Sequence, residues 1–120
     1  MGKIIAIVNQ KGGVGKTTSC INLAASMALL EQKTLLIDLD PQANATTGSL
    51  FQKEPGANLA QVLLDEIPMQ ESLLVTPAGY SLIPGTTDLT QTEVQLLQKE
   101  QREYTLKKKL AVLSNLYDYI

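Results

Sequence analysis

The stretch "QKGGVGKTT", Gln10 to Thr18, limits this chain more than any other. It follows an apolar run, "IIAIV", inside Lys3 to Asn9, and leads into "KTTSCINLAASMALLE", which holds no Pro or Gly. A continuous run rich in β-branched residues predicts a strand buried on both faces, as in a parallel sheet. The Ala- and Leu-rich segment predicts a helix from about Lys16 to Glu31. Between the two, Gly12, Gly13 and Gly15 let backbone N–H groups turn inward around an anion without Cβ clashes. The helix adds its positive N-terminal end. A tight turn before a helix would explain the glycines, but not the Lys16-Thr17 pair that follows them.

The phosphate-loop pattern G-x-x-x-x-G-K-[ST] is met except at its first position, where Gln10 stands for glycine. The expected cradle is Lys11, Gly12, Gly13, Val14, Gly15, Lys16, Thr17 and Thr18. Lys16 should reach the β- and γ-phosphates of a nucleotide, and the Thr17 hydroxyl should bind Mg²⁺. Lys11 is a second lysine where one would suffice. From the residues alone it is either a solvated neighbour of the loop or a group with a separate task.

"TLLID", Thr34 to Asp38, predicts a second buried strand, so strand, turn, helix and strand form a βαβ unit with a right-handed crossover. Ligands in such sheets sit beyond the carboxyl ends of the strands. The phosphate loop and "DLDPQAN", Asp38 to Asn44, should therefore share one edge. Asp38 and Asp40 are two apart and point the same way in extended backbone. Either can orient an attacking water or hold a metal-bound water, which makes both candidate metal groups; either can also cap the turn before Pro41.

Further along, Pro41 to Gly56 reads as a polar loop with at most a helical turn. Asn58 to Glu66 predicts a short helix. "LLVTP" and "YSLIPG" predict brief strands around Ala78-Gly79. Thr90 to Glu93 fits a capping box opening a helix to about Glu103. Leu106 to Asn115 predicts another helix, with Leu106, Leu110 and Leu113 on one face. Lys107, Lys108 and Lys109 on that helix read first as a solvated face, with DNA contact the lesser reading. Met27 and Met69 read as core or surface filler, and Cys20 as a small buried residue, with a reactive thiol the lesser reading. "YDYI" reads as the first residues of another strand. No domain boundary or low-complexity linker interrupts residues 1–120.

Composition closes off several classes. At 120 residues the chain is the length of one ordinary domain. Its 44% apolar content is globular, and a net charge of −2 gives no general pull toward nucleic acid, so DNA contact would need a local patch. Cys20 is the single cysteine, so no internal disulfide forms, in keeping with a cytoplasmic setting. The first residues lack a signal-peptide pattern, Ala6 breaks the myristoylation motif, and no apolar run reaches membrane-spanning length.

"KGGVGKTT" together with "LLIDLDPQANAT" resembles the ParA/Soj branch of the ParA–MinD ATPases, the deviant Walker A family. The likeness continues through "LIPGTTDLTQTEVQLL" and "REYTLKKKLAVLSNLYDYI", so it covers essentially the whole chain. Gln at position 10 is usual in that family. The resemblance implies an α/β P-loop NTPase with a doubly wound, mostly parallel sheet and flanking helices. It implies an ATPase, with ATP and Mg²⁺ as cofactors, that closes into an ATP-sandwich homodimer. Lys11 would then cross that dimer to touch the partner's nucleotide, and Lys11, Lys16 and Asp40 would form the catalytic group. It further implies nonspecific DNA binding by the dimer, a ParB-like partner that stimulates hydrolysis, and a cytoplasmic, nucleoid-associated setting without membrane attachment. Family chains are about twice as long, and the expectation is that this one stops short of the Walker B motif, "IID-x-PP", which follows "YDYI" in relatives. Starting its first strand at Lys3, it resembles the short chromosomal Soj type. Two alternatives remain: a MinD-like membrane-cycling ATPase, and a segment that holds nucleotide without turning it over.

Overall fold

"TLLID" forms the strand around which the rest is arranged. The computed structural model describes residues 2–8, 15–50, 56–97 and 104–120. Within them, β1 (Leu35–Ile37) pairs in parallel with β3 (Ser81–Ile83), and β3 pairs antiparallel with β2 (Leu74–Val75). The sheet order is β1-β3-β2, so the described sheet is mixed. Registers Leu36↔Leu82 and Ile37↔Ile83 put side chains of the two strands on alternate faces.

Both faces are covered, which is what a mostly apolar parallel pair requires. On one side Leu36, Leu82 and Tyr80 pack with Ala24 of α1 (Lys16–Leu29) and with Ala45 and Leu50 of α2 (Asn44–Leu50). On the other, Leu35 and Ile83 pack with α3 (Leu59–Leu63), α4 (Leu89–Leu96) and α5 (Thr105–Leu113). The result is a three-layer α/β/α architecture, as the sequence predicts.

Four local expectations change. The run "IIAIV" is not a buried strand. Only Lys3 forms a bridge, to Tyr119, and Ile4, Ile5 and Val8 are exposed. The backbone of Lys3 and Ile5 bonds to Asp118–Ile120 on one side, and among the described residues no partner follows beyond Ile5. Tyr119 also bridges Thr34 in parallel, so "YDYI" is wedged between the N-terminal run and β1. The two strands of the expected βαβ unit are therefore not direct neighbours.

The polar stretch after Pro41 contains a whole helix, α2, whose Ala45, Thr46, Ser49 and Leu50 are buried. Gly48 explains how it fits. A Cβ there would meet Ile21 Cδ1 of α1 at 2.6 Å, so glycine lets the two helices approach.

The capping box is also elsewhere. α4 starts two residues earlier than Thr90–Glu93 implies, after turns closed by Leu89 N to Thr86 O and Thr90 N to Thr87 O, and Asp88 caps it without a side-chain bond. The reciprocal box belongs to α3, where Asn58 accepts from Gln61 N at 3.2 Å and Gln61 Oε1 accepts from Asn58 N at 3.0 Å. Asn58 is as good an N-cap as Thr, and its predicted helix simply carries the device unread. The far end expected for α4, to Glu103, lies outside the described residues.

The helix α1 ends at Leu29 rather than Glu31, because Glu31 adopts a left-handed φ of 61°. The N–H of Gln32 then reaches Met27 O at 3.0 Å, closing a Schellman-type end.

Candidate nucleotide site at the start of α1

Gly15 is the N-cap of α1 and offers no side chain, and the first turn carries no acidic residue. The first helical bond runs from Ser19 N to Gly15 O, 2.9 Å. The N–H groups of Lys16, Thr17 and Thr18 therefore stand ahead of the ladder, at the positive end of a 14-residue helix. This donor set suits an anion, and an uncapped, carboxylate-free first turn leaves it room. Lys11, Gly12, Gly13 and Val14 lie outside the described residues.

At the facing strand end, Lys16 Nζ lies 3.7 Å from Asp40 Oδ2, with both side chains roughly one-quarter exposed. The two chain segments that the sequence expects on one edge are thus brought together. An ion pair of this length and exposure contributes about 0–1 kcal/mol, so it organises the site weakly and yields readily to a stronger anion. Asp40 Oδ1 also accepts from Gln42 N at 3.0 Å, which turns the chain after Pro41.

Asp38 has a different environment. It is buried, and its carboxylate accepts three bonds: from Asp40 N at 3.0 Å, Thr46 N at 2.8 Å and Thr46 Oγ1 at 2.7 Å. Both oxygens are engaged by donors within the chain. Asp38 and Asp40, two residues apart, are thus held differently: one inside a hydrogen-bonded turn, the other against Lys16. Among the described residues no group of three or more acidic, His or Cys side chains is gathered for a metal.

Cys20, one turn into α1, has its thiol pushed above the ordinary range by burial, with the Asp38 charge adding to the effect and Lys16 opposing it. It is a poor nucleophile at neutral pH. A cleft of about 930 Å³ runs between residues 4–8, α1 and β1. Ile5, Ile7, Leu23, Met27 and Leu36 give it hydrocarbon walls, and its polar groups include Lys16, Thr17, Asp38 and Asp40. Hydrocarbon walls offer an anion nothing, so the cleft's anion-compatible groups are those where α1 begins and β1 ends. Lys109 on α5 is paired with Asp65, and Lys107 lies 5.9 Å from the Tyr104 ring centroid. These two lysines do not extend the site.

Sequence reasoning missed Thr46 and Gly85. Thr46 sits eight residues beyond Asp38 in a stretch read as loop, and Gly85 arrives from the end of β3. Nothing in their spacing announces that they meet.

A strand-end and helix-start cradle on a three-layer α/β sheet is the setting in which phosphate ligands bind, P-loop ATPases among the proteins that use it. The comparisons agree. The family profile described as "AAA domain" matches residues 2–120. The chain is 48% identical over 122 residues to the chromosome partitioning protein ParA of Myxococcus xanthus, covering all of this chain and 43% of that one. It is 42% identical over 125 residues to the sporulation initiation inhibitor protein Soj of Bacillus subtilis, covering all of this chain and 48% of the relative. The crystal structure of cobyrinic acid a,c-diamide synthase from Mycobacterium smegmatis with bound ADP and magnesium superposes with a TM-score of 0.93 at 35% identity, over 99% of this chain and 49% of that one.

The chain belongs to the AAA-domain family of P-loop ATPases and, within it, to the ParA/Soj type. It spans about half the length of the curated relatives it matches. No helix among the described residues is long and apolar enough to cross a membrane.

Proposed function

We propose that these residues form the nucleotide-binding half of a partitioning ATPase, one that segregates chromosome or plasmid DNA. The observation that carries this reading is the meeting of Lys16, at the uncapped start of α1, with Asp40 at the end of β1. The ParA and Soj names of the relatives support the partitioning role and favour it over a MinD-like membrane cycle.

In this reading the N–H groups of the loop and of Lys16, Thr17 and Thr18 cradle the phosphates of ATP, with Lys11, Gly12, Gly13, Val14 and Gly15 completing the loop. Lys16 neutralises the β- and γ-phosphates, leaving Asp40 to orient the attacking water. The Thr17 hydroxyl would hold Mg²⁺, which would supply charge neutralisation for the phosphates; Asp40 lies on the same edge as a further group for the ion's hydration shell. Asp38, with three donors on its carboxylate, holds the turn and is the weaker metal candidate.

Lys11 then makes closure of a homodimer conditional on ATP, because a second chain's lysine stabilises the γ-phosphate only when both chains are together. The closed dimer binds DNA nonspecifically, and a ParB-like partner stimulates hydrolysis, in the cytoplasm on the nucleoid. Replacing Lys11→Ala in the complete protein should abolish the ATP-dependent dimer in sedimentation while ADP still binds the monomer. A dimer of unchanged affinity would remove Lys11 from the interface.

The reaction itself is tested at Asp40. Losing one positioned catalytic group costs on the order of 10²–10³ in rate, so Asp40→Ala should drop phosphate release by that factor while ATP still binds. Near-normal turnover would move the role to another residue.

A further inference from the structure

We infer that Thr46 is a positioning residue for Asp40, acting through Asp38 as the centre of a three-element clamp. The inference rests on the reading of Asp40 as the water-orienting group. Thr46 is 4% exposed and Asp38 is 4% exposed, so each of their polar atoms needs a partner inside the protein. The Thr46 hydroxyl donates to Asp38 Oδ2 at 2.7 Å and accepts from Gly85 N at 2.8 Å. Thr46 N adds a second bond to the same oxygen at 2.8 Å. The other oxygen, Oδ1, accepts from Asp40 N at 3.0 Å. One chain of bonds therefore runs from the end of β3, through the first turn of α2, to the backbone of Asp40.

The residue types are specified at each link. Only a hydroxyl donates and accepts at once from a single small atom, so Thr or Ser is required at position 46. Valine has the same shape but would strand the Gly85 N–H and leave Asp38 Oδ2 one donor short in a dry setting. Glycine is required at position 85, because a Cβ there would stand 2.8 Å from Asp38 O and 3.0 Å from its Cγ. Both substitutions act on Asp38 and, through its bond to Asp40 N, on where the Asp40 carboxylate sits opposite Lys16. Thr46 has no bond to Lys16 or Asp40 among those described, so its effect reaches the reaction only by position. A catalytic group displaced by about 1 Å loses on the order of 10²-fold in rate.

The test compares Thr46→Val, Thr46→Ser and Gly85→Ala in the complete protein, alone and combined with Asp40→Ala. Phosphate release, ATP affinity and amide exchange at Asp40 are measured for each. Thr46→Val and Gly85→Ala should each lower turnover by roughly 10- to 100-fold with ATP affinity within about twofold of wild type. Exchange at the Asp40 amide should accelerate in both, and Thr46→Ser should restore rate and protection together. On the Asp40→Ala background, Thr46→Val should cost no further turnover. A Thr46→Val protein that cycles at the wild-type rate, or one that loses the same factor again on the Asp40→Ala background, overturns the inference. Wild-type-like turnover in Asp40→Ala itself would instead sink the reading of Asp40. In that case unchanged Asp40 exchange in Thr46→Val would still sink the clamp separately. If Thr46→Val does not fold, Gly85→Ala carries the same comparison by pressing on Asp38 from the other side.

Discussion

Two apolar strand-like runs, "IIAIV" and "TLLID", read alike in sequence and end differently in the fold. β1 of the second is flanked on one side by β3 and on the other by the Thr34–Tyr119 bridge, with Leu35 and Leu36 buried under helices on both faces. The first, among the described residues, bonds to Asp118–Ile120 on one side, and Ile4 and Val8 are 59% and 87% exposed. Hydrophobicity thus states that a run can be a core strand, but burial needs neighbours on both edges and both faces. A second contrast follows from the same strand. Just past β1, Asp38 is tied into three elements by hydrogen bonds, whereas Asp40 is held, among the described residues, by one ion pair and a turn. The tied residue is part of the framework, and the proposed function assigns the ligand to the more loosely held one.

The sharpest way to break the first contrast is at its buried side. Leu82 faces Leu36 across the β1–β3 ladder and is fully buried, so Leu82→Ala should cost about 2–5 kcal/mol in urea unfolding of the 120-residue chain. Ile5→Ala should cost about 1 kcal/mol or less, since Ile5 is 46% exposed. Equal losses at the two sites would mean that the N-terminal run is as well covered in solution as β1, and the contrast would fall.

Much of this arrangement was legible in the residues. The order of glycine loop, helix and "TLLID" predicts α1, β1 and a site at their shared edge, because turn chemistry and apolar periodicity are local signals. The meeting of Lys16 with Asp40 follows from the sheet rule once both strand ends are known. What was not legible depends on contacts between distant residues. The helix α2 in "NATTGSL" packs with Gly48 close against Ile21 and with Ser49 bonded to the buried Tyr80 hydroxyl at 2.6 Å. No propensity of that stretch announces either contact. Likewise the sequence favours Asp40 over Asp38 as the water-orienting group, but their two-residue spacing does not show how each is held. The different settings of the two are shaped by Thr46 and Gly85, which are eight and 47 residues from Asp38 and converge only in three dimensions.

The central claim is that the start of α1 is a phosphate site built on Lys16. Calorimetric titration of ATP with Mg²⁺ into the complete protein tests it most directly, comparing wild type with Lys16→Ala. A charge-assisted bond to phosphate contributes roughly 1.5–3 kcal/mol, so removing the ammonium should weaken binding by at least about tenfold, down to no measurable heat. ATP bound by Lys16→Ala with the wild-type affinity would contradict the account.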